Sequence, residues 1–234
     1  MVSTGATTTE PDATTVLEEL PLYGFDIETD TSVDGLDPTR SPVVAVALWG
    51  GPLGLHDGSP GHVSFVLDGE AADEPTLLVE LDRTLLELPA GVLVTWNGRH
   101  FDLPFIAERA RRLGLEIGLR IDPVSGEAAW HHHRHLDGLR AYRADVGRTV
   151  GISCALKPLS RLVGEEPVEV DRTQVHRLAI DLLQAYVVSD ARLAQLLVSR
   201  RWPTITGWID RVPSTGPVSG STSPLVRDTS VTPA

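Results

Sequence analysis

Leu22-Tyr23-Gly24-Phe25-Asp26-Ile27-Glu28-Thr29 is the stretch that decides how the rest of the chain is read. An apolar run that enters a polar turn marks a strand ending at a loop. Side chains alternate along a strand, so Phe25 and Ile27 point to one face while Asp26 and Glu28 point to the other. Two carboxylates at i and i+2 on the end of a strand can converge on one hard cation through oxygen ligands. The plainer alternative is a surface strand running into an acidic loop, because Asp30 and Asp34 follow and Asp-x-Glu alone is common.

Outward from this strand, Val43–Trp49 and His62–Leu67 are two further strand-like runs, separated by a Gly- and Pro-rich loop at Gly50–Gly61. With no helix between them, the three are expected to pair antiparallel. Pro75–Leu88 carries Leu77, Leu78, Leu81, Leu85 and Leu88 at near-helical spacing, with a proline at its start. Gly91–Thr95 reads as a strand, Leu103–Leu113 as a helix stopped by Gly114, and His135–Leu139 as a short fifth strand. Ser153–Val163 and Thr173–Arg200 read as helices, the second long and amphipathic. The fold class is therefore α/β: an antiparallel three-strand meander extended by parallel strands into a mixed sheet, flanked by helices. One domain is expected over residues 20–211. Residues 1–19 read as a disordered lead-in and residues 212–234 as a flexible Ser/Thr/Pro-rich tail.

The 234 residues are enough for one well-covered core. A single cysteine, Cys154, excludes an internal disulfide and any multi-cysteine metal cluster. The first twenty residues lack a basic start and an apolar run, and no stretch approaches the roughly 18 apolar residues of a membrane helix. A soluble, cytoplasmic protein is expected. Net charge is −12 but unevenly placed. Residues 1–98 carry two arginines against 17 acids, whereas residues 99–148 carry nine arginines against seven acids, with five histidines besides. That pattern suits nucleic acid held through metals and a local basic rim, and not a tight sequence-specific DNA binder.

Two more carboxylate motifs follow. In Trp96-Asn97-Gly98-Arg99-His100-Phe101-Asp102-Leu103-Pro104-Phe105, an apolar strand runs straight into a helix, and Asp102 sits where the helix begins. A simple helix cap accounts for Asp102 alone. It does not account for Phe101, a bulky aromatic at an exposed-looking corner beside Asn97 and Arg99. In Tyr186-Val187-Val188-Ser189-Asp190, the i, i+4 pair Tyr186 and Asp190 shares one helix face. An aspartate among apolar neighbours there costs stability unless it is paired or binds a metal. A surface Tyr–Asp hydrogen bond is the alternative. Each signal alone is modest, and their conjunction in this order is specific.

FDIET at 25–29, WNGRHFDLPFI at 96–106 and YVVSD at 186–190 together resemble the DEDD-type 3′–5′ exonucleases, a superfamily with a ribonuclease H-like fold. Tyrosine in the third motif resembles the DEDDy subclass, and the likeness covers residues 20–200. It implies catalytic roles for Asp26, Glu28, Asp102, Tyr186 and Asp190, with the four carboxylates holding two divalent cations, Mg²⁺ or Mn²⁺. Oxygen-only ligation agrees with such hard cations and disfavours zinc. It also implies that Tyr186 orients the attacking water, and that Thr29, Asn97, Arg99 and Phe101 contact the terminal nucleotides. Stacking of a base on a phenyl ring is worth roughly 1–3 kcal/mol without reading base identity. Asp137, in His135-Leu136-Asp137, is implied as a supporting residue and not a ligand.

Other features carry less. Arg109, Arg111 and Arg112 could touch phosphate, but a solvated helix face is the simpler reading. The run His131-His132-His133-Arg134-His135 is expected to be a surface loop near substrate and not a metal site, since consecutive side chains diverge. Cys154 and the five tryptophans are read as packing residues, with Trp202 and Trp208 folding the end of the chain back onto the core. The implied activity is release of nucleoside monophosphates from a single-stranded 3′ end, with DNA favoured and RNA possible. Proofreading would need a polymerase or repair partner in trans, because no polymerase segment is legible. A catalytically silent nucleic-acid-binding module and an RNase H-like endonuclease are the alternatives. Oligomeric state is not legible.

Overall fold

Tyr23, Phe25 and Ile27 are buried on one face of β1 (Leu22–Thr29), while Gly24, Asp26 and Glu28 occupy the other. In this computed structural model, which describes residues 20–53, 61–68, 73–214 and 216, that alternation sets the two layers of the molecule. The proposed lead-in at 1–19 and most of the tail at 212–234 lie outside the described residues.

β2 (Val43–Trp49) and β3 (His62–Val66) follow β1 as an antiparallel meander, as the absence of an intervening helix requires. Next come α1 (Glu74–Glu87), β4 (Val92–Thr95) and α2 (Asp102–Leu113). Then β5 (Leu119–Ile121), β6 (Ala128–Trp130) and β7 (His133–Asp137) form a second antiparallel set. The helical crossovers make β4 parallel to β1 and β7 parallel to β4. One seven-stranded mixed sheet results, in the order β3-β2-β1-β4-β7-β6-β5. After β7 come α3 (Gly138–Tyr142), a π-helical turn at Arg143–Gly147, α4 (Leu156–Leu162), a 3₁₀ segment at Arg172–Arg177, and α5 (Ile180–Ile205).

Helices α1 and α2 cover the face that carries Tyr23, Phe25 and Ile27. Leu77, Leu78, Leu81 and Leu85 form the apolar stripe of α1, and Leu103, Phe105, Ile106 and Ala110 that of α2. Asp73 caps α1 by accepting from the Thr76 amide, and Gly114 in the left-handed conformation ends α2. The opposite face is covered by α5. Its Val187 and Ala191 pack on Ala45 and Ala47 of β2, and its Ala194, Val198 and Trp202 pack on Val92, Val94 and Leu136. Trp202 and Trp208 do return the chain end to the core. Among the described residues, no helix is long and apolar enough to cross a membrane.

Three elements differ from the sequence expectation. The last strand of the core is His133–Asp137 and not His135–Leu139, so His133 and His135 are buried strand residues, not part of a surface loop. Only His131 and His132 form the turn, where their rings meet Asp82 and the Leu88 carbonyl. β5 and β6 are three residues each, too short for a period of two to show in sequence. The long helix begins at Ile180: Asp171 caps a 3₁₀ segment by accepting from the Thr173 amide, and Leu178 and Ala179 are extended.

Candidate active site

Gly24 determines how closely α5 can approach β1. A Cβ there would lie 2.0 Å from the Ala191 carbonyl oxygen, so only glycine admits the helix at this depth. The contact brings Asp190, one residue before Ala191, over the polar face of β1. Carboxylate oxygens of Asp26, Glu28 and Asp190 all lie within 4.8 Å of one another. Asp102, the first residue of α2, joins them on the floor of a cleft of about 1440 Å³. The N-cap position of that helix is Phe101 and not Asp102, whose carboxylate is held by its own amide and that of Ile27. The four acids, up to 164 residues apart in sequence, thus reach one place from β1, α2 and α5.

Their electrostatics are those of a site short of positive charge. Burial, then Asp102, Asp190 and Glu28, pushes the Asp26 carboxyl well above the carboxylate range. Burial followed by Asp190 raises Glu28 to about 8, and burial raises Asp102 to about 7, with Asp137 adding to it. Asp190 rises to about 6 through burial, against the opposing pull of Lys157 and Arg172. Asp190 Oδ1 is buried with no hydrogen-bond partner among the described residues. A buried oxygen left unpaired beside three further carboxylates fits divalent cations bound by oxygen alone.

Tyr186 is fully buried on α5, and among the described residues its hydroxyl has no partner in strict hydrogen-bonding geometry, although the Arg172 guanidinium lies near it. The expected alternative, a surface Tyr–Asp bond, is not formed. Burial, with Glu28 and Asp190, pushes its ionisation far above the usual tyrosine range, so it stays protonated. It sits under Lys157, whose Nζ is 3.9 Å from the ring centroid and 3.6 Å from Asp190 Oδ2.

Of the residues expected to meet substrate, three line the cleft and one does not. Thr29 lies in the wall, its hydroxyl donating to the Gly35 carbonyl at 2.6 Å. Asn97 lies in the wall with φ of 80°, a left-handed conformation that asparagine tolerates. Phe101 lies there too, packed against Phe105. Arg99 is the exception. Its guanidinium is buried, bonded to Asp210 at 2.7 Å and to the Ser125 carbonyl, so it is not placed to hold a phosphate. Arg109 is likewise committed, to Glu74 and the Pro38 carbonyl, while Arg111 and Arg112 pair with Glu108 on an outer helix face.

Known proteins share this arrangement of sheet and helices. The RNase H superfamily model matches residues 23–195, most of the chain and the range within which the four carboxylates lie. The chain belongs to the RNase H superfamily. Its relatives agree with the DEDD-type 3′–5′ exonuclease branch expected from the motifs. The chain is 35% identical over 127 residues to a DNA polymerase epsilon catalytic subunit of Arabidopsis thaliana, across 51% of this chain and 6% of that protein. It is 29% identical over 202 residues to DNA polymerase 1 of Aeropyrum pernix, across 77% of this chain and 21% of that one. The family B DNA polymerase of Pyrobaculum calidifontis shares the fold, with a TM-score of 0.63 at 21% identity, over 79% of this chain and 25% of that structure. This chain thus spans about a quarter or less of the polymerases it resembles.

Three groups support this RNase H centre, and only the first, Asp137, is singled out in the sequence. Asp137 is buried and accepts from the amides of Asn97 (3.0 Å), Arg99 (3.3 Å) and Arg140 (3.3 Å), which fixes the cleft turn and caps α3. Asp210 holds the same turn from behind through Arg99. It also lies 2.6 Å from His135 Nδ1, whose Nε2 is 2.8 Å from Thr95 Oγ1, which in turn accepts from the Gly98 amide. Lys157 and Arg172 bring positive charge to the carboxylates. Asp210 and the two basic residues were invisible in sequence because no spacing rule links them to the acids.

Proposed function

We propose that the chain is a two-metal-dependent 3′–5′ exonuclease that hydrolyses phosphodiester bonds at the 3′ end of single-stranded nucleic acid and releases nucleoside monophosphates. The observation that carries this reading is the convergence of Asp26, Glu28 and Asp190 within 4.8 Å, with Asp102 beside them and one Asp190 oxygen buried without a partner. Two divalent cations, Mg²⁺ or Mn²⁺, would supply the charge that activates water and stabilises the departing 3′ oxygen. Asp26, Glu28 and Asp190 would hold one and Asp26 with Asp102 the other. The remaining work belongs to the chain.

Tyr186, which stays protonated, orients the water held among these carboxylates by donating a hydrogen bond; its high ionisation range makes it a positioning group and not a base. Phe101 stacks on or wedges beside the terminal base, and Asn97 and Thr29 meet the last nucleotide from the cleft wall. Asp137 holds the amides that set the Asn97–Phe101 turn. The relatives are DNA polymerases by name, which favours DNA over RNA, and the stretch matched in them is read as their exonuclease segment. A polymerase or repair partner in trans would then give the activity its context.

The test is a degradation panel of single-stranded DNA, duplex DNA and RNA with Mg²⁺ or Mn²⁺, wild type against Asp26→Asn. The expected result is mononucleotide release, fastest from single-stranded DNA and abolished in the variant. Equal activity of the two proteins would remove the assignment.

A further inference from the structure

Nine arginines between residues 99 and 148 suggest a basic face, yet the structure consumes seven of them internally. Arg99, Arg109, Arg111, Arg112 and Arg140 bond to Asp210, Glu74 or Glu108, while Arg120 and Arg134 donate to the carbonyls of His131 and Asp210. Arg143 and Arg148 are what is left. Neither guanidinium has a hydrogen-bond or ion-pair partner among the described residues, both residues are exposed, and both line the cleft. The acid between them, Asp145, is taken by Arg201, so it does not neutralise either one.

Their backbone setting adds to this. Arg143 opens the π-helical turn Arg143–Gly147 and Arg148 follows it. Such turns are rare and frequently found at functional sites, because the extra residue redirects side chains that an α-helix would carry past the groove. Here both guanidiniums share a cleft with Asn97 and Phe101. At about 1440 Å³ the cleft exceeds the roughly 300–1,000 Å³ of a small-molecule pocket, which leaves room for nucleotides upstream of the one at the carboxylates.

We infer that Arg143 and Arg148 form the phosphate-binding track for the strand upstream of its 3′ end, gripping backbone phosphates by charge and forked hydrogen bonds while the chemistry proceeds elsewhere. This rests on the exonuclease reading above. A guanidinium fork matches phosphate bidentately and ignores the base, which is what a nuclease of unrestricted sequence requires. The track sets the length of single strand the enzyme recognises, and through it KM, with little effect on kcat. It also explains how a chain of net charge −12 can hold a polyanion.

The experiment compares wild type, Arg143→Ala/Arg148→Ala and Arg143→Lys/Arg148→Lys on two substrates. One is a ten-nucleotide oligothymidylate, and the other is the p-nitrophenyl ester of thymidine 5′-monophosphate, which has no upstream phosphate. Binding of fluorescein-labelled oligothymidylate by anisotropy, as a function of salt, is measured alongside. The alanine pair should raise the oligonucleotide KM and Kd about tenfold, leave kcat within about twofold, and leave ester hydrolysis unchanged. Its log Kd should lose about 0.7 of salt slope per phosphate contact removed. The lysine pair should recover most of the slope. An unchanged oligonucleotide Kd and salt slope in the alanine pair would overturn the track, as would equal loss on ester and oligonucleotide. Failure of wild type to hydrolyse either substrate would instead count against the exonuclease reading, while the anisotropy arm still decides the track.

Discussion

Two buried carboxylate centres lie in this molecule, and they are built on opposite principles. At Asp210 one carboxylate is saturated: Oδ1 meets Arg99 at 2.7 Å, and Oδ2 meets His135 Nδ1 at 2.6 Å and the Ala128 amide at 3.2 Å. In the cleft Lys157 and Arg172 serve Glu28 and Asp190, Asp26 meets only Arg172 and Asp102 neither, one oxygen has no partner among the described residues, and every acid is pushed upward. The saturated centre resembles a structural rivet, since a buried charge is tolerated when it is paired and hydrogen-bonded. The deficient centre is costly as it stands, and a fold retains such a cost where a ligand supplies the missing charge. Burial alone therefore does not separate the two; what separates them is how many partners each oxygen has.

The comparison breaks most visibly in activity. Asp26→Asn or Asp102→Asn should cut 3′-end hydrolysis by about 10³-fold or more, about 4 kcal/mol of barrier, in a single-turnover assay. The same variants should melt no lower than wild type without metal, because each removes one like charge. Asp210→Ala should do the reverse. It leaves Arg99 buried without its counter-charge, which should cost about 3–5 kcal/mol in urea unfolding. An Asp26→Asn protein that unfolds more easily, or an Asp210→Ala protein that does not, would dissolve the distinction.

Metal should stabilise only the deficient centre, and the same centre should respond to pH. A divalent cation at about a hundred times its Kd should stabilise wild type by about 2.7 kcal/mol, and Asp26→Asn by much less. Without metal, the raised carboxyls bind protons more tightly folded than unfolded. Their contribution is fully present below the ordinary carboxylate range and is lost as pH rises through about 6 for Asp190, 7 for Asp102 and 8 for Glu28. Metal-free protein should therefore be more stable at about pH 6.5 than at about pH 8.5, an interval in which buried His133, pushed down to about 4, stays neutral, and stabilisation by Mn²⁺ should grow over the same interval. Thermal melts with chelator or Mn²⁺ across that range check both signs. The smallest effect is expected on the outer face of α2, where Arg111→Ala should change stability by about 0.5 kcal/mol or less, since its partner Glu108 is a neighbour on an exposed helix surface.

What sequence conveyed about the two centres differs for the same reason. Asp26 and Glu28 were legible through strand alternation, and Tyr186 and Asp190 through helical spacing, because local geometry dictates both periods. The meander and the first two helices followed from apolar patterning for the same cause. Arg99 was expected to contact the terminal nucleotides because its partner, Asp210, lies 111 residues away and joins it only through the closing of the fold. Arg172 lies in a 3₁₀ segment, and Arg143 and Arg148 in or just after a π turn, none of which leaves a periodic trace, while no spacing links Lys157 of α4 to the acids. β5 and β6 were lost to brevity, and with them the burial of His133 and His135.

On the proposed function, the charge-deficient carboxylates make a metal-dependent site that acts at a 3′ end and nowhere else on the strand. The most direct measurement follows one single-stranded DNA in Mn²⁺, labelled at its 3′ end in one sample and its 5′ end in the other, with a circular single strand and Asp26→Asn as controls. The 3′ label should appear at once as mononucleotide, the 5′ label should shorten as a ladder, and both the circle and the Asp26→Asn reaction should stay intact. Cleavage of the circle, release from the 5′ end first, or turnover that survives Asp26→Asn would contradict a 3′-end, carboxylate-dependent mechanism.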